Sequence, residues 1–150
     1  MLVDTPTQTA LYSLEQAIKA YRKLCQQNIA QVMDDLTVDQ ALTLIVLNKH
    51  PALSQQEIAE LVFKDKASMT RIIELLVKKD FIVRAMHSVD RRKYELRISA
   101  KGRHAIAALT DTIRLNQQTA LAGLTDAELT QFFVTLQKII TNCTNPTPCA

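Results

Sequence analysis

Hydrophobic residues recur every three or four positions through most of this chain, which is the spacing of one face of an α-helix. Ser/Thr-x-x-Glu/Gln boxes mark helix starts, because each side chain bonds a backbone N–H that the helix leaves free. Three such boxes precede apolar runs: Thr37–Gln40, Ser54–Glu57 and Thr125–Glu128. Ser99 is a fourth candidate N-cap. These signals predict six helices, over about 9–33, 38–49, 55–62, 66–79, 99–121 and 126–142.

The same positions predict which side of each helix is buried. On the first helix a 3-4-3-4 spacing makes one narrow seam: Leu11, Leu14, Ile18, Tyr21 and Cys25. The second helix ends before Pro51, because a proline disfavours helix at the residue that precedes it. The expected inward-facing residues of the next three helices are Leu42, Ile45, Val46, Ile58, Leu61, Val62, Met69, Ile72, Ile73 and Leu76.

The period of the pattern changes after the fourth helix. Residues 94–98 alternate strictly between polar and apolar, as a half-buried strand does. Residues 81–86 are a plausible partner strand with weaker alternation, and the polar, basic stretch 87–93 between the two is a hairpin tip. The prediction is a mainly α protein with a small two-stranded β-wing.

The order of elements over residues 54–98 is a short helix, a tight turn, a longer helix and a basic ribbon. This order is typical of a winged helix-turn-helix, whose second helix enters the major groove of double-stranded DNA while the ribbon reaches the minor groove or the backbone. Hydroxyl, amide and cationic side chains bond phosphates or base edges, and Arg pairs bidentately with guanine. The predicted DNA-binding residues are Ser54, Gln55, Lys66, Ser68, Thr70, Arg71, Arg84, Arg91, Arg92 and Lys93.

Asp90 stands among the cations of the predicted wing tip. We expect its carboxylate to orient one guanidinium of Arg91 or Arg92 through a bidentate pair. The alternative is an aspartate that only forms the turn.

Charge is distributed unevenly along the chain. Residues 64–104 hold 12 Lys/Arg and 5 Asp/Glu, a net charge of +7, whereas the other 109 residues have a net charge of −4. A basic segment on a mildly acidic body suggests a surface that binds a polyanion. The chain has only two glycines, which argues against a turn-rich β fold, a P-loop and a dinucleotide-binding loop.

Other classes of function find little support. The sequence has no nucleophile elbow, metalloprotease or kinase signature and no paired carboxylates in an apolar setting, so we expect neither an enzyme nor a cofactor. The three histidines are scattered, and no metal site is expected. No apolar run suffices to cross a membrane, and the N-terminus has no signal-peptide pattern, so a cytoplasmic location is expected. The tail from Asn142 to Ala150 is expected to fray.

Three segments of the chain are distinctive: the run from Asp65 to Ile82, the triplet Asp90-Arg91-Arg92, and the segment from Ile98 to Gly102. They resemble the recognition helix, the wing and the following helix start of the MarR family of winged helix-turn-helix regulators. The resemblance covers nearly the whole chain as a single domain. One position departs from the family pattern: Asp80 stands where a glycine is usual, and Asp tolerates a left-handed backbone less well than Gly.

The resemblance implies a bacterial repressor that binds a pseudo-palindromic operator as an intertwined homodimer. Its DNA-binding lobe would cover about residues 37–103, and its dimerisation helices about 9–33 and 104–142. Apolar seams on the first and last helices agree with a homodimer, because they offer more apolar surface than the small lobe can cover. The alternative is that the two helices pack against each other within one chain. The predicted interface residues are Leu11, Leu14, Ile18, Leu129, Phe132, Phe133, Leu136 and Ile140.

The resemblance also implies that a small aromatic or anionic effector releases the protein from DNA. For each candidate pocket residue, the alternative is a role in plain core or surface packing. The candidate pocket residues are Tyr21, Arg22, Leu24 and Ile45. A redox switch at Cys25 is a second hypothesis, weighed against a buried structural cysteine. Two further hypotheses are a nonspecific architectural DNA binder and a protein-interaction module with an incidental basic wing.

Overall fold

The computed structural model describes residues 5–146 and contains six α-helices and one two-stranded antiparallel sheet in that range. The mainly α fold with a small β-wing is therefore confirmed. A short 3-10 helix, Pro6–Gln8, precedes the first α-helix. The elements are α1 Ala10–Val32, α2 Val38–Lys49, α3 Gln55–Leu61, α4 Lys66–Lys78, β1 Ile82–Met86, β2 Tyr94–Ile98, α5 Ala100–Ala120 and α6 Asp126–Thr144.

Helix starts are fixed by local hydrogen bonds. All three predicted capping boxes form, at the starts of α2, α3 and α6. The Ser99 hydroxyl accepts the Gly102 N–H at 3.0 Å and so begins α5. Two further caps, Thr9 for α1 and Asp65 for α4, complete the set. The helix bounds consequently agree with the prediction to within two residues.

The hairpin is in regular antiparallel register. Ile82 pairs with Ile98 at the base, and Met86 pairs with Tyr94 near the tip. Phe81 precedes β1 instead of belonging to it, and it is completely buried. The base of the wing is thus anchored in the core while its tip projects polar residues.

One hydrophobic core lies among α1–α5 and β1. Its larger members are Ile29, Leu36, Leu44, Leu47, Ile58, Met69, Ile73, Leu76, Phe81, Ile82 and Leu109. The predicted face of α2 was partly wrong. Val46 is half-buried and packs against the core, but Leu42 is exposed and Ile45 is only half-buried, whereas Leu44 and Leu47 are buried. Leu61 was also misassigned, since 52% of it is exposed. It ends α3, a helix of only seven residues, whose buried residues are Ile58 and Ala59.

The chain divides into two compact units, residues up to Asn116 and residues from Gln117 onward. In the first unit, the Nδ2 of Asn28 on α1 donates to the Oδ1 of the buried Asn116 on α5 at 2.6 Å. The second unit contains α6, and none of the residues of this helix, Asp126–Thr144, is buried. An amphipathic helix without a buried residue has an apolar face that this single chain leaves uncovered.

The helices and the C-terminal tail bear on two further predictions. Over residues 5–146, no helix is both long and apolar enough to span a bilayer. The tail that was predicted to fray begins at Asn142, but α6 continues to Thr144, and residues 147–150 lie outside the described part of the chain.

Candidate nucleic-acid interface

The N-terminal end of α4 is held by side chains of its own first turns and by one side chain of α3. The Asp65 carboxylate accepts the Ser68 N–H at 2.7 Å and the Ser68 hydroxyl at 3.1 Å. The Thr70 hydroxyl donates to the Lys66 carbonyl and accepts from Nε2 of Gln55 at 2.8 Å. Three predicted DNA-binding residues therefore already have partners: Ser68 in the cap of α4, and Gln55 and Thr70 in a bond that joins α3 to α4.

The C-terminal end of α4 is clamped by the start of α5. The Ser99 hydroxyl donates to the carbonyls of Asp80 and Phe81, and the Lys101 ammonium donates to the Lys79 carbonyl at 2.8 Å. The same ammonium lies 4.4 Å from the centre of the Phe81 ring, a cation–π contact. Carbonyls that the helix end leaves free are thereby satisfied, and the orientation of α4 is fixed.

Two helices of the lobe end in the same backbone motif, a Schellman turn. At the end of α4, Asp80 has φ of 63°, and its N–H and that of Phe81 donate to the carbonyls of Val77 and Leu76. The left-handed conformation expected at Asp80 is therefore present. At the end of α3 the equivalent position is occupied by Phe63, with φ of 58°.

The wing tip is closed by hydrogen bonds within residues 87–93. The backbone N–H groups of Val89 and Asp90 donate to Nδ1 of His87, at 3.2 and 3.1 Å. The Asp90 carboxylate accepts the backbone N–H of Arg92 at 3.0 Å. The predicted Asp90–guanidinium pair is thus replaced by an Asx turn, because the backbone N–H two residues on is the nearer donor. Asp90 shapes the tip, and the arginine side chains are left free of it.

Six cations of the interface share one property: they are exposed and form no ion pair with a carboxylate in the described part of the chain. They are Lys66, Arg71, Arg84, Arg91, Arg92 and Lys93. By contrast, ion pairs engage Lys19, Arg22, Lys64, Arg97, Lys101 and Arg114. The six cations therefore leave uncompensated positive charge on α4 and the wing, as binding of a polyanion requires.

A cleft of about 520 Å³ separates the start of α3 from the wing. Ser54 and Gln55 line one side, and Arg84, Lys93 and Tyr94 line the other. The Ser54 hydroxyl accepts the Glu57 N–H as the cap of α3. The structure thus brings Ser54 and Gln55 to the same groove as two of the wing cations.

One carboxylate on α2 joins the turn between α3 and α4 to α1 through ion pairs. The Asp39 carboxylate on α2 is paired with Arg22 of α1 and, at 2.8 Å, with Lys64 in the turn between α3 and α4. Burial alone would raise the pKa of Asp39, but hydrogen bonds and attraction from Lys64 and Arg22 lower it below its ordinary value. Asp39 consequently holds the helix-turn-helix against α1 as an anion.

We expect the free energy of unfolding to fall at acid pH. Backbone N–H bonds lower the pKa values of the capping carboxylates Glu57 and Asp65. The pKa of Asp39 is lowered by its two cationic partners. Because these folded-state values lie below the unfolded ones, the folded chain binds fewer protons, and stability present near neutral pH is lost as pH falls below about 4.5.

Urea unfolding at pH 7 and pH 4 measures this loss. The variant Asp39→Asn should lose less stability between the two pH values than the original chain, because it lacks one of the titrating groups. Equal unfolding free energies at both pH values would contradict the role given to these carboxylates.

The candidate effector-pocket residues are all half-buried. Arg22 is paired with Asp39, so an anionic ligand would have to compete with that carboxylate. Burial, with a contribution from the neighbouring Cys25 thiol, raises the pKa of Tyr21 to about 12, which keeps its phenol protonated. Leu24 and Ile45 add apolar surface on α1 and α2.

The cysteines and metal ligands offer little chemistry. Cys25 is buried, as expected for a small structural hydrophobe, while Cys143 is exposed and Cys149 lies outside the described residues. Within residues 5–146, no three His, Cys, Asp or Glu side chains come together as ligands for a metal ion.

Sequence reasoning missed several residues that position the interface. His87 was considered only as a metal ligand, yet it caps the wing tip. Ser99 and Lys101 were recognised as part of a motif, but their contacts with residues about twenty positions earlier carry no local signal. Asp39 was missed as well, since neither of its partners stands at helical spacing from it.

Comparison with known proteins agrees with this geometry. The profile of the MarR family matches residues 34–93, which include the helix-turn-helix and most of the wing. A putative transcriptional regulatory protein for the hcr operon of Thauera aromatica is 33% identical over 85 residues, 57% of this chain and 51% of that protein. The transcriptional regulator BilQ of Clostridium symbiosum is 30% identical over 96 residues, 64% of this chain and 67% of that protein.

The matched stretch thus spans about half the length of the first relative and two thirds of the second. Among solved structures, that of Bordetella bronchiseptica BpsR aligns with this chain with a TM-score of 0.80 at 22% identity. That structure concerns the regulation of BpsR's DNA binding by 6-hydroxynicotinic acid. That alignment covers 92% of this chain and 97% of BpsR. At this identity the likeness establishes a shared fold. With the family profile and the two relatives beside the winged helix-turn-helix, the chain belongs to the MarR family of transcriptional regulators.

Proposed function

We propose that this protein is a sequence-specific DNA-binding regulator that represses transcription as a homodimer and is released by a small effector. The observation that carries the proposal concerns six predicted DNA-binding cations, Lys66, Arg71, Arg84, Arg91, Arg92 and Lys93. All six are exposed on α4 and the wing, and none forms an ion pair within residues 5–146. Such cations displace the counterions of duplex DNA, and an arginine among them can also read a guanine edge. The cytoplasmic location expected from the sequence stays a prediction. It is consistent with the proposed function, because a DNA-binding regulator works in the compartment that holds the DNA.

Arg71 is the cation best placed for base reading. It lies in the second turn of α4 and is exposed, while Met69 and Ile73 on either side of it are buried. The clamp at the other end of α4 leaves this N-terminal half as the part of the helix that can enter a major groove. The wing arginines, free of Asp90, would follow the neighbouring minor groove or the backbone.

The proposed homodimer rests on apolar surface that the single chain leaves exposed. On α1, Leu11 and Ile18 are exposed and Leu14 is half-buried. On α6, Phe132, Phe133 and Ile140 are exposed, with Leu129 and Leu136 half-buried. Patches of this kind are covered by a partner in stable proteins, and a second copy pairs each patch by two-fold symmetry. Two copies would address half-sites about 10 base pairs apart.

The variant Phe133→Glu is expected to separate the dimer. Its side chain is 62% exposed in the single chain, so the charge disturbs no monomer core, but it would be buried without a partner in the dimer. We expect a monomeric mass in analytical ultracentrifugation and at least about a hundredfold loss of operator affinity, because two linked half-site contacts become one.

Gln131→Glu is the matched control for this variant. It adds the same charge to an exposed position on nearly the opposite side of α6. It should remain dimeric. A dimeric Phe133→Glu variant would contradict the assignment of this face to the interface.

An effector of aromatic or anionic character is supported by a structural relative. BpsR is regulated by 6-hydroxynicotinic acid, a small aromatic acid. In this chain the Arg22 guanidinium is the cation of the candidate pocket, and it is shared with Asp39, which also holds Lys64 beside the DNA-reading helix. A carboxylate that drew Arg22 from Asp39 would loosen that tie and shift the dimer toward a spacing unsuited to DNA.

Selection of genomic fragments by the purified protein tests the proposed function. We expect the bound fragments to share one pseudo-palindrome with half-sites about 10 base pairs apart. Fragments that share no motif would overturn sequence-specific regulation and favour an architectural DNA-binding protein.

A further inference from the structure

Phe63 combines two features that folding does not explain. It lies in the turn between α3 and α4 with a left-handed φ of 58°, and 93% of it is exposed. Glycine or asparagine is usual at this position of a Schellman turn, because a Cβ is strained there. The hydrogen bonds of the turn run from the N–H groups of Phe63 and Lys64 to carbonyls of α3, so they involve only backbone.

Asp80 is the other non-glycine residue with a left-handed φ within residues 5–146. Asp80 ends α4 in the same motif, but its side chain is small and polar, as suits an exposed turn. At Phe63 the strain is combined with exposure of a whole aromatic ring to water. A ring in this conformation contributes nothing to the core, so a contact outside the chain is the remaining role for it.

The position of Phe63 indicates what that contact is. Three residues further on, Lys66 begins the helix that we propose enters the major groove, and its charge is unpaired. The turn itself is held by the ion pair between Lys64 and Asp39, so the ring is presented from a fixed backbone. The Asp65 carboxylate in the same turn is engaged in the cap of α4, which leaves Lys66 as the free charge at the start of that helix. A free cation there suits a polyanion better than an apolar protein partner.

We propose that Phe63 is a DNA-positioning residue whose ring packs on the apolar face of a deoxyribose at the edge of the major groove. This inference rests on the proposed function, because it requires α4 to enter that groove. A sugar contact is independent of base sequence, so the ring would set the depth and register of α4 on any duplex.

The test compares Phe63→Gly with the original chain by fluorescence anisotropy on an operator and on a random duplex. Relief of the left-handed strain should raise the Tm by about 2–4 °C. Loss of the ring should weaken binding about tenfold on both duplexes, with an unchanged salt dependence because no charge is removed. A merely structural role would move stability and affinity in the same direction.

Three variants sharpen the result. Phe63→Asn keeps a side chain suited to the left-handed turn and should lose affinity as Phe63→Gly does, which excludes turn flexibility as the cause. Phe63→Tyr keeps the ring and should retain affinity. Asp80→Gly relieves strain at the other Schellman turn and should raise the Tm while leaving the affinity within about twofold.

Unchanged affinity of Phe63→Gly on both duplexes would overturn the inference while leaving the proposed function intact. A loss confined to the operator would also overturn it, in favour of a base contact. If the original chain shows no preference for any sequence, sequence-specific regulation fails, and the random duplex still tests the sugar contact.

Discussion

Replacing Gly102 with alanine is expected to destabilise the fold by about 3 kcal/mol. A Cβ on Gly102 would stand 2.3 Å from the Phe81 carbonyl oxygen and 2.6 Å from Cγ2 of Ile98, distances that real structures do not contain. The oxygen is backbone and is already held by the N–H and hydroxyl of Ser99. Relief therefore requires the start of α5 to move away from the end of α4, which breaks the clamp.

Gly123→Ala is the matched control for urea unfolding. Gly123 has a left-handed φ of 83°, but nothing lies within 4 Å of the Cβ position. That variant should lose only about 1 kcal/mol, from backbone strain alone. If Gly102→Ala were no less stable than Gly123→Ala, the close approach of α5 to Phe81 would not hold in solution.

Removing both wing arginines, Arg91→Ala with Arg92→Ala, should weaken operator binding about a hundredfold. Neither guanidinium has an ion pair in the described part of the chain, and the tip is shaped by Asp90 and His87, so the fold should be unaffected. The slope of log affinity against log salt should also fall, by about one for each arginine that no longer neutralises a phosphate.

The variant Arg114→Ala checks that this effect is specific to the wing. It removes one exposed charge from α5 that is paired with Asp111, and it should change neither the affinity nor the slope appreciably. Equal affinities for the double wing variant and the original chain would favour the protein-interaction module, in which the basic wing is incidental.

The elements could be predicted from sequence because their signals are local. Thr37, Ser54 and Thr125 form their capping boxes within four residues, and the hairpin follows from alternation in 94–98. The full buried face of α2 could not be predicted, because apolar residues occupy every position from 44 to 47. Which of them is buried is decided by the elements that pack against α2, namely α1, α3, α4 and β2.

The candidate site was predictable in its composition and less so in its geometry. Six cations of α4 and the wing were named from their residue types, and the structure leaves these six unpaired within the range 5–146. The partner of Asp90 was not predictable, since a guanidinium and a backbone N–H both lie within two residues of it. Phe63 gave no signal either, because an aromatic residue after an apolar helix predicts a core position until its φ and exposure are known.

The central claim, sequence-specific DNA binding through α4, is tested most directly by a ratio of dissociation constants. Fluorescence anisotropy at physiological salt would compare the selected operator with a scrambled duplex, for the original chain and for Arg71→Ala. We predict a ratio of about 10³ or more for the original chain and a ratio at least tenfold smaller for the variant. A ratio near one for the original chain, or one that Arg71→Ala leaves unchanged, would contradict the account.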